Sequence, residues 1–154
     1  MKRKDIFNDL KNIVDPTRDY LKILGNLHYT HFALLDKYKR ILKPYGLSFP
    51  QSHVLSIIVH MHPKQLSLEE IKEMVLEPNS DVSRTVVRLE EKGFLKKVKD
   101  SENRRKRAIM ATSVGINVFR QLEKDKRFSA IVVDVSLGHA RIFAQTLELL
   151  RDSK

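Results

Sequence analysis

The five glycines and five prolines of this 154-residue chain fall mostly at the seams of a helical repeat, and their placement sets what the chain can fold into. Pro cannot continue a helix, and Gly supplies the left-handed residue that ends one. Asp15 and Pro16 read as the N-cap and first position of a long helix. Leu21, Leu24, Leu27, Leu34, Leu35 and Ile41 recur at helical spacing along it until Pro44 and Gly46. Ser48 and Gln51 have capping-box spacing with Pro50 between them, and open a second helix that carries Val54, Leu55, Ile57, Ile58 and Met61 and stops at Pro63. Ser67 and Glu70 form another such pair. The short helix they open turns Leu68, Ile71, Met74 and Val75 inward and runs out near Pro78. Residues 1–14 form either a short extra helix using Ile6, Phe7, Leu10 and Ile13 or an arm without fixed structure.

A fourth helix is expected from Asn79 or Ser80 to Gly93, with Val82, Val86 and Leu89 at i, i+4 and i+7. Ser80, Asp81, Arg84 and Arg88 occupy the opposite stripe. Two short helices with a tight connection form a helix-turn-helix candidate. After Gly93 the period changes: FLKKVK and KRAIMA are strand-like runs around the polar hairpin DSENRR, which makes a two-stranded wing. Thr112 or Ser113 then caps a fifth long helix reaching about Val135, and Ser136 caps a sixth with Ile142, Phe143, Leu147, Leu149 and Leu150. The expected fold is mainly α with a small β wing, a winged helix-turn-helix in the order α-α-α-α-β-β-α-α. Its divisions are 1–46 for the N-terminal arm and first long helix, 47–111 for the winged module and 112–154 for the terminal helices.

Composition narrows the function. Lys and Arg number 29 against 19 acidic residues, a formal charge of +10, which biases the chain toward polyanions. The excess sits in residues 1–49 and 80–107, each with ten basic against five acidic residues. The absence of Cys excludes a disulfide framework and a thiolate metal site, and fits a reducing compartment. No apolar run has the length of a signal peptide core or a membrane span, so a cytoplasmic location with no membrane partner is expected. No phosphate-binding glycine loop, nucleophile elbow or HExxH appears, so no enzyme and no cofactor are expected. The histidines, His28, His31, His53, His60, His62 and His139, lack the companion Cys and acids of a metal site, and none is assigned.

The chemistry of DNA recognition matches residues 79–92. Short hydrogen-bonding groups belong near the start of a recognition helix, and cations farther along hold phosphates or guanine edges. Asn79, Ser80, Asp81 and Ser83 supply the first; Arg84, Arg88 and Lys92 supply the second. A charged helix face is more often simply solvated. The wing shifts that balance, because Arg104, Arg105, Lys106 and Arg107 are four adjacent cations at and after its tip, with Lys96, Lys97 and Lys99 on the incoming strand. Such a run repels itself without a polyanion, and Arg suits the narrow, negative minor groove. Asn103, Arg104, Arg105 and Lys106 are the candidate wing contacts.

From Leu47 to Gly115 these segments, LSFPQSHVLSII, LSLEEIKEMV, DVSRTVVRLEEKGFLKK, DSENRR and ATSVG, resemble in register the multiple-antibiotic-resistance regulators, the MarR-type winged-helix transcription factors. The resemblance implies a triangular homodimer of interlocking first, fifth and sixth helices. It also implies two winged lobes on a palindromic operator, released when a small ligand docks near the hinge. The chain departs from the family pattern at Asn103 and Val87, where the family has acids that orient the wing arginines, and at Leu76, where a turn glycine is usual. Asp81 stands where Thr or Ser is common, to accept from a cytosine amino group or to cap the helix.

Dimerisation is also expected from the residues alone, since long apolar helices bracket a winged module that is already closed. Leu21, Leu24, Phe32, Phe119, Ile131, Val132, Phe143, Leu147 and Leu150 are assigned to that interface and the adjoining cores. His28, His31 and His53 are assigned to a pocket for a small aromatic or anionic effector. Tyr20, Tyr29, Tyr38 and Tyr45, all on the first helix or its end, are assigned to packing. The expected function is a sequence-specific double-stranded DNA-binding regulator, a repressor released by a small molecule. The alternative is a winged-helix module that binds RNA or a protein partner.

Overall fold

A computed structural model of the chain describes residues 16–77, 81–99, 107–131 and 135–152, without the side chains of 16–20 and 129. The elements in order are α1 (Pro16–Leu42), a 3-10 turn (Lys43–Tyr45), α2 (Phe49–His60), α3 (Leu68–Met74), α4 (Val82–Glu91), β1 (Leu95–Lys99), β2 (Arg107–Ala111), α5 (Ser113–Glu123), α6 (Lys126–Ser129) and α7 (Leu137–Asp152). Contacts divide the chain into two units, Met1–Lys37 and Tyr38–Lys154. In the first, α1 leaves Leu21, Ile23, Leu24, Tyr29 and Phe32 exposed.

The second unit holds the core, and its helices begin where the caps dictate. Ser48 and Ser67 each accept from the backbone N–H three residues on, while Gln51 and Glu70 reach back to the cap backbone. Each such cap contributes about 1 kcal/mol. Leu55, Ile58, Leu66, Ile71 and Leu89 are buried at the centre, each adding about 1.5–3 kcal/mol relative to exposure. α2 packs against α3, α4, α5 and β2, so the buried stripe read from its sequence is the hub of the module.

β1 and β2 pair antiparallel, with Leu95 opposite Ala111, Lys97 opposite Ile109 and Lys99 opposite Arg107. Leu66 joins their outer edge through two backbone bonds with Ile109, at 3.1 and 2.7 Å, and so ties the wing to the segment before α3. Gly93, at φ +72°, makes the turn from α4 into β1, a conformation unfavourable for side-chain-bearing residues. Thr112 caps α5 and donates from its hydroxyl to Gly93 O at 2.6 Å.

Two expectations are corrected. The fifth helix does not reach Val135: α5 ends at Glu123, and Asp125 opens the separate α6 by accepting from Arg127 N at 3.0 Å. No Gly or Pro marks this break; an Asp able to cap supplies the competing backbone partner. Met74 is more than a third exposed rather than inward, because α3 ends there and Val75 is already extended. Of the residues assigned to the interface and the adjoining cores, Phe119 lies in the core of its unit, and Leu21, Leu24, Phe32, Phe143 and Leu150 are exposed. Val132 and the expected cap Asp15 lie outside the described residues.

Candidate nucleic-acid interface

α4 is a strongly two-faced helix. Val82, Val86 and Leu89 are buried, and the helix packs on α2 and β1. Ser83, Arg84, Val87 and Arg88 are exposed on the other side, with Arg84 and Arg88 one turn apart. Neither guanidinium bonds to any described residue. Asp81 resolves one of the two roles left open for it: its Oδ1 accepts from Arg84 N at 2.9 Å, making it the N-cap. A carboxylate there complements the positive end of the helix. Asn79 and Ser80 lie outside the described residues.

Beside α4, the wing strands carry exposed Lys96, Lys97, Lys99 and Arg107. Lys97 is bridged to Glu90 at 2.6 Å, which fixes the first strand to the end of α4. Asn103, Arg104, Arg105 and Lys106 fall outside the described residues. Lys92 is a correction: it points away from the recognition face and donates to Gly46 O and, at 2.9 Å, to Gln51 Oε1. Lys92 sits past the last helical turn, where the chain bends back over the start of α2, so its ammonium finds backbone oxygen before solvent. Between α3, α4 and the wing lies a groove of about 490 Å³ with Ser83, Lys97 and Arg107 in its walls.

A second cleft, of about 410 Å³, opens between α2 and the end of α5, lined by Phe49, Ser52, His53, Ser56, Phe119, Leu122, Glu123 and Phe128. Of the three histidines assigned to an effector pocket, His53 lines this cleft. Its ring stacks nearly parallel to Phe49, and its Nε2 accepts from Leu76 N at 3.2 Å, in the segment that leads from α3 toward α4. His28 and His31 are on α1 in the first unit, where His28 Nδ1 lies 2.9 Å from Leu24 O and His31 meets Phe32 edge-on. The sequence reading did not find the other cleft residues. Phe49 and His53, Ser52 and Ser56, and Phe119 and Glu123 each have i, i+4 spacing, which shows a shared helix face but not which faces oppose.

Behind the cleft, Tyr45 donates to Asp125 Oδ2 at 2.9 Å, and Arg127 grips the same carboxylate in a fork, with its Nη2 at 2.5 Å. The Arg127 side chain, then its backbone N–H, holds the Asp125 carboxyl well below the usual carboxylate range. Donation to that carboxylate pushes the Tyr45 phenol up. No group of three or more metal-ligating side chains is found among the described residues. No described helix is long and apolar enough to cross a membrane.

Two short helices, the second amphipathic with an open cationic face, followed by a two-stranded antiparallel wing, define a winged helix-turn-helix. Residues 45–106 match the MarR family model, so the resemblance read from the sequence is borne out over that segment. Solved structures agree in fold at low identity. The organohalide-sensing RdhR-CbdbA1625 transcriptional regulator in its 2,4-dichlorophenol-bound form aligns with TM-score 0.75 and 18% identity over 93% of this chain and 87% of its own. Bordetella bronchiseptica BpsR, whose DNA binding is regulated by 6-hydroxynicotinic acid, aligns with 0.70 and 14% over 84% and 93%. MepR of S. aureus in its DNA complex aligns with 0.70 and 18% over 84% and 97%. No sequence among the curated proteins matches the chain.

Proposed function

We propose that the chain is a sequence-specific double-stranded DNA-binding transcriptional regulator, a cytoplasmic repressor that acts as a homodimer on a palindromic operator and is released by a small aromatic effector. The observation that carries this reading is the open face of α4: Arg84 and Arg88 are exposed, bonded to no described residue, and flanked by the cationic wing strands. That geometry suits a helix seated in the major groove with the wing on the adjoining backbone. Asn79 and Ser80, and Asn103 through Lys106, are proposed as further DNA contacts. The unpartnered apolar faces of α1 and α7 support the homodimer. α7 has no buried residue, and leaves Leu137 69%, Phe143 56% and Leu149 73% exposed. A two-fold pair would set two recognition helices about 34 Å apart on one side of a duplex.

The cleft beside His53 is the proposed effector site, since that residue also holds the backbone that leads toward α4. The DNA complex of MepR, the 2,4-dichlorophenol-bound form of RdhR-CbdbA1625 and the regulation of BpsR by 6-hydroxynicotinic acid support a ligand-responsive DNA-binding regulator. Selection of preferred duplexes from a random pool tests it. A two-fold symmetric consensus is expected; no enrichment of any duplex would favour the RNA- or protein-binding alternative.

A further inference from the structure

The cleft between α2 and α5 has a polar inventory that selects the charge of its occupant. Its walls include three phenylalanines, Phe49, Phe119 and Phe128, which give it an aromatic lining. Its two hydroxyls have already committed their hydrogens: Ser52 donates to Phe49 O and Ser56 to His53 O, both at 2.8 Å. Only their acceptor lone pairs remain. His53 spends Nε2 on Leu76 N, which leaves a single ring N–H at Nδ1. The one charged lining group is the Glu123 carboxylate, half exposed and 3.8 Å from His60 Nε2. No Lys or Arg is among the described lining residues. The last turn of α5, which supplies Phe119, Leu122 and Glu123, adds the negative end of the helix dipole. The opposite pole, at the start of α2, is offset by the Ser48–Gln51 capping box.

We infer that this cleft takes a small planar aromatic cation, an amidinium or protonated amine carried on a ring, and disfavours an aromatic anion of the same shape. The ring lies among the phenylalanines, where a cation gains from their faces, and its N–H groups donate to Glu123 and the seryl oxygens. A carboxylate in the same place would meet a carboxylate and acceptor oxygens, with His53 Nδ1 as the one donor among the lining side chains. The volume of about 410 Å³ suits one or two fused rings. The specificity rests on the cleft alone; its consequence for operator release rests on the regulator reading above.

Benzamidine and benzoate, matched in shape and opposite in charge, test the inference by calorimetry and ligand-observed NMR on the full chain. Salt near 0.15 M limits the field of the net positive chain to a Debye length of about 8 Å. Benzamidine is expected to bind about tenfold more tightly than benzoate, the worth of one charge-assisted bond. Glu123→Gln is expected to abolish that preference and Glu123→Lys to reverse it, both at an exposed side chain where the fold tolerates exchange. Equal or tighter binding of benzoate, a ratio unchanged by Glu123→Gln, or no binding of either probe below about 10 mM overturns the inference. Duplex binding measured on the same samples separates the two readings. If it is retained while the preference fails, only the cleft specificity falls; if it is absent while the preference holds, only the regulator reading falls.

Discussion

Arg84 and Asp81 show how one residue positions another. Asp81 closes the N-terminus of α4 through Arg84 N, which leaves the Arg84 side chain projecting from the first turn toward solvent. Arg84→Ala is expected to cost about 1–3 kcal/mol on a selected duplex and to relax preference at one base pair per half-site, read by competition titration. Affinity equal to that of the parent chain would remove Arg84 from the interface. The Tyr45–Asp125–Arg127 cluster contributes to the pH response. A carboxylate whose pKa falls on folding stabilises the native state above its unfolded value of about 4, and loses that contribution as pH drops toward its folded value. A phenol whose pKa rises contributes below about 10 and loses its share as pH climbs. Thermal midpoints followed across pH are therefore expected to show a shallower acid limb in Asp125→Asn and a shallower alkaline limb in Tyr45→Phe. The caps at Ser48, Ser67 and Thr112 were legible because their signal is local. The partner of Lys92 was not legible because Gly46 O lies 46 residues away.

At the level of elements, the tightest junction is the start of α5 against the turn into the wing. A Cβ on Gly115 would sit 2.2 Å from Phe94 O and 2.9 Å from Phe94 C, so the backbone itself would have to move. Gly115→Ala is expected to lower the urea midpoint by the equivalent of about 1–3 kcal/mol or more. An unchanged midpoint would show that the junction yields freely. Thr112 N reinforces this contact by donating to Phe94 O at 3.0 Å. The 3.6-residue period located the helices, and the switch to alternation after Gly93 located the wing, since both patterns repeat along a single element. The break between α5 and α6 carried no such mark. Asp125 caps α6 while Arg127 and Tyr45 occupy its carboxylate, and Tyr45 is supplied from 80 residues upstream.

For the whole molecule, the exposed leucines and phenylalanines of α1 and α7 are the surfaces a second copy is proposed to cover. Phe143, 56% exposed on α7, is the probe: Phe143→Glu is expected to shift the mass measured by light scattering from dimer to monomer. Affinity for the palindromic duplex should fall with it, while a parent chain that is already monomeric would end the dimer proposal. Log affinity for duplex is expected to fall linearly with log salt, with a slope close to the number of phosphates neutralised. The sequence by itself determined α2, α3 and α4, the caps at Ser48, Ser67 and Thr112, the wing strands and the cationic stripe on α4, because each follows from residues within a few positions of one another. Only the tertiary structure decided which helix faces meet, and hence that Phe49, His53, Phe119 and Glu123 wall one cleft and that Lys92 reaches the start of α2. Those contacts join residues far apart in the chain, and their geometry follows from packing several faces at once rather than from any local preference.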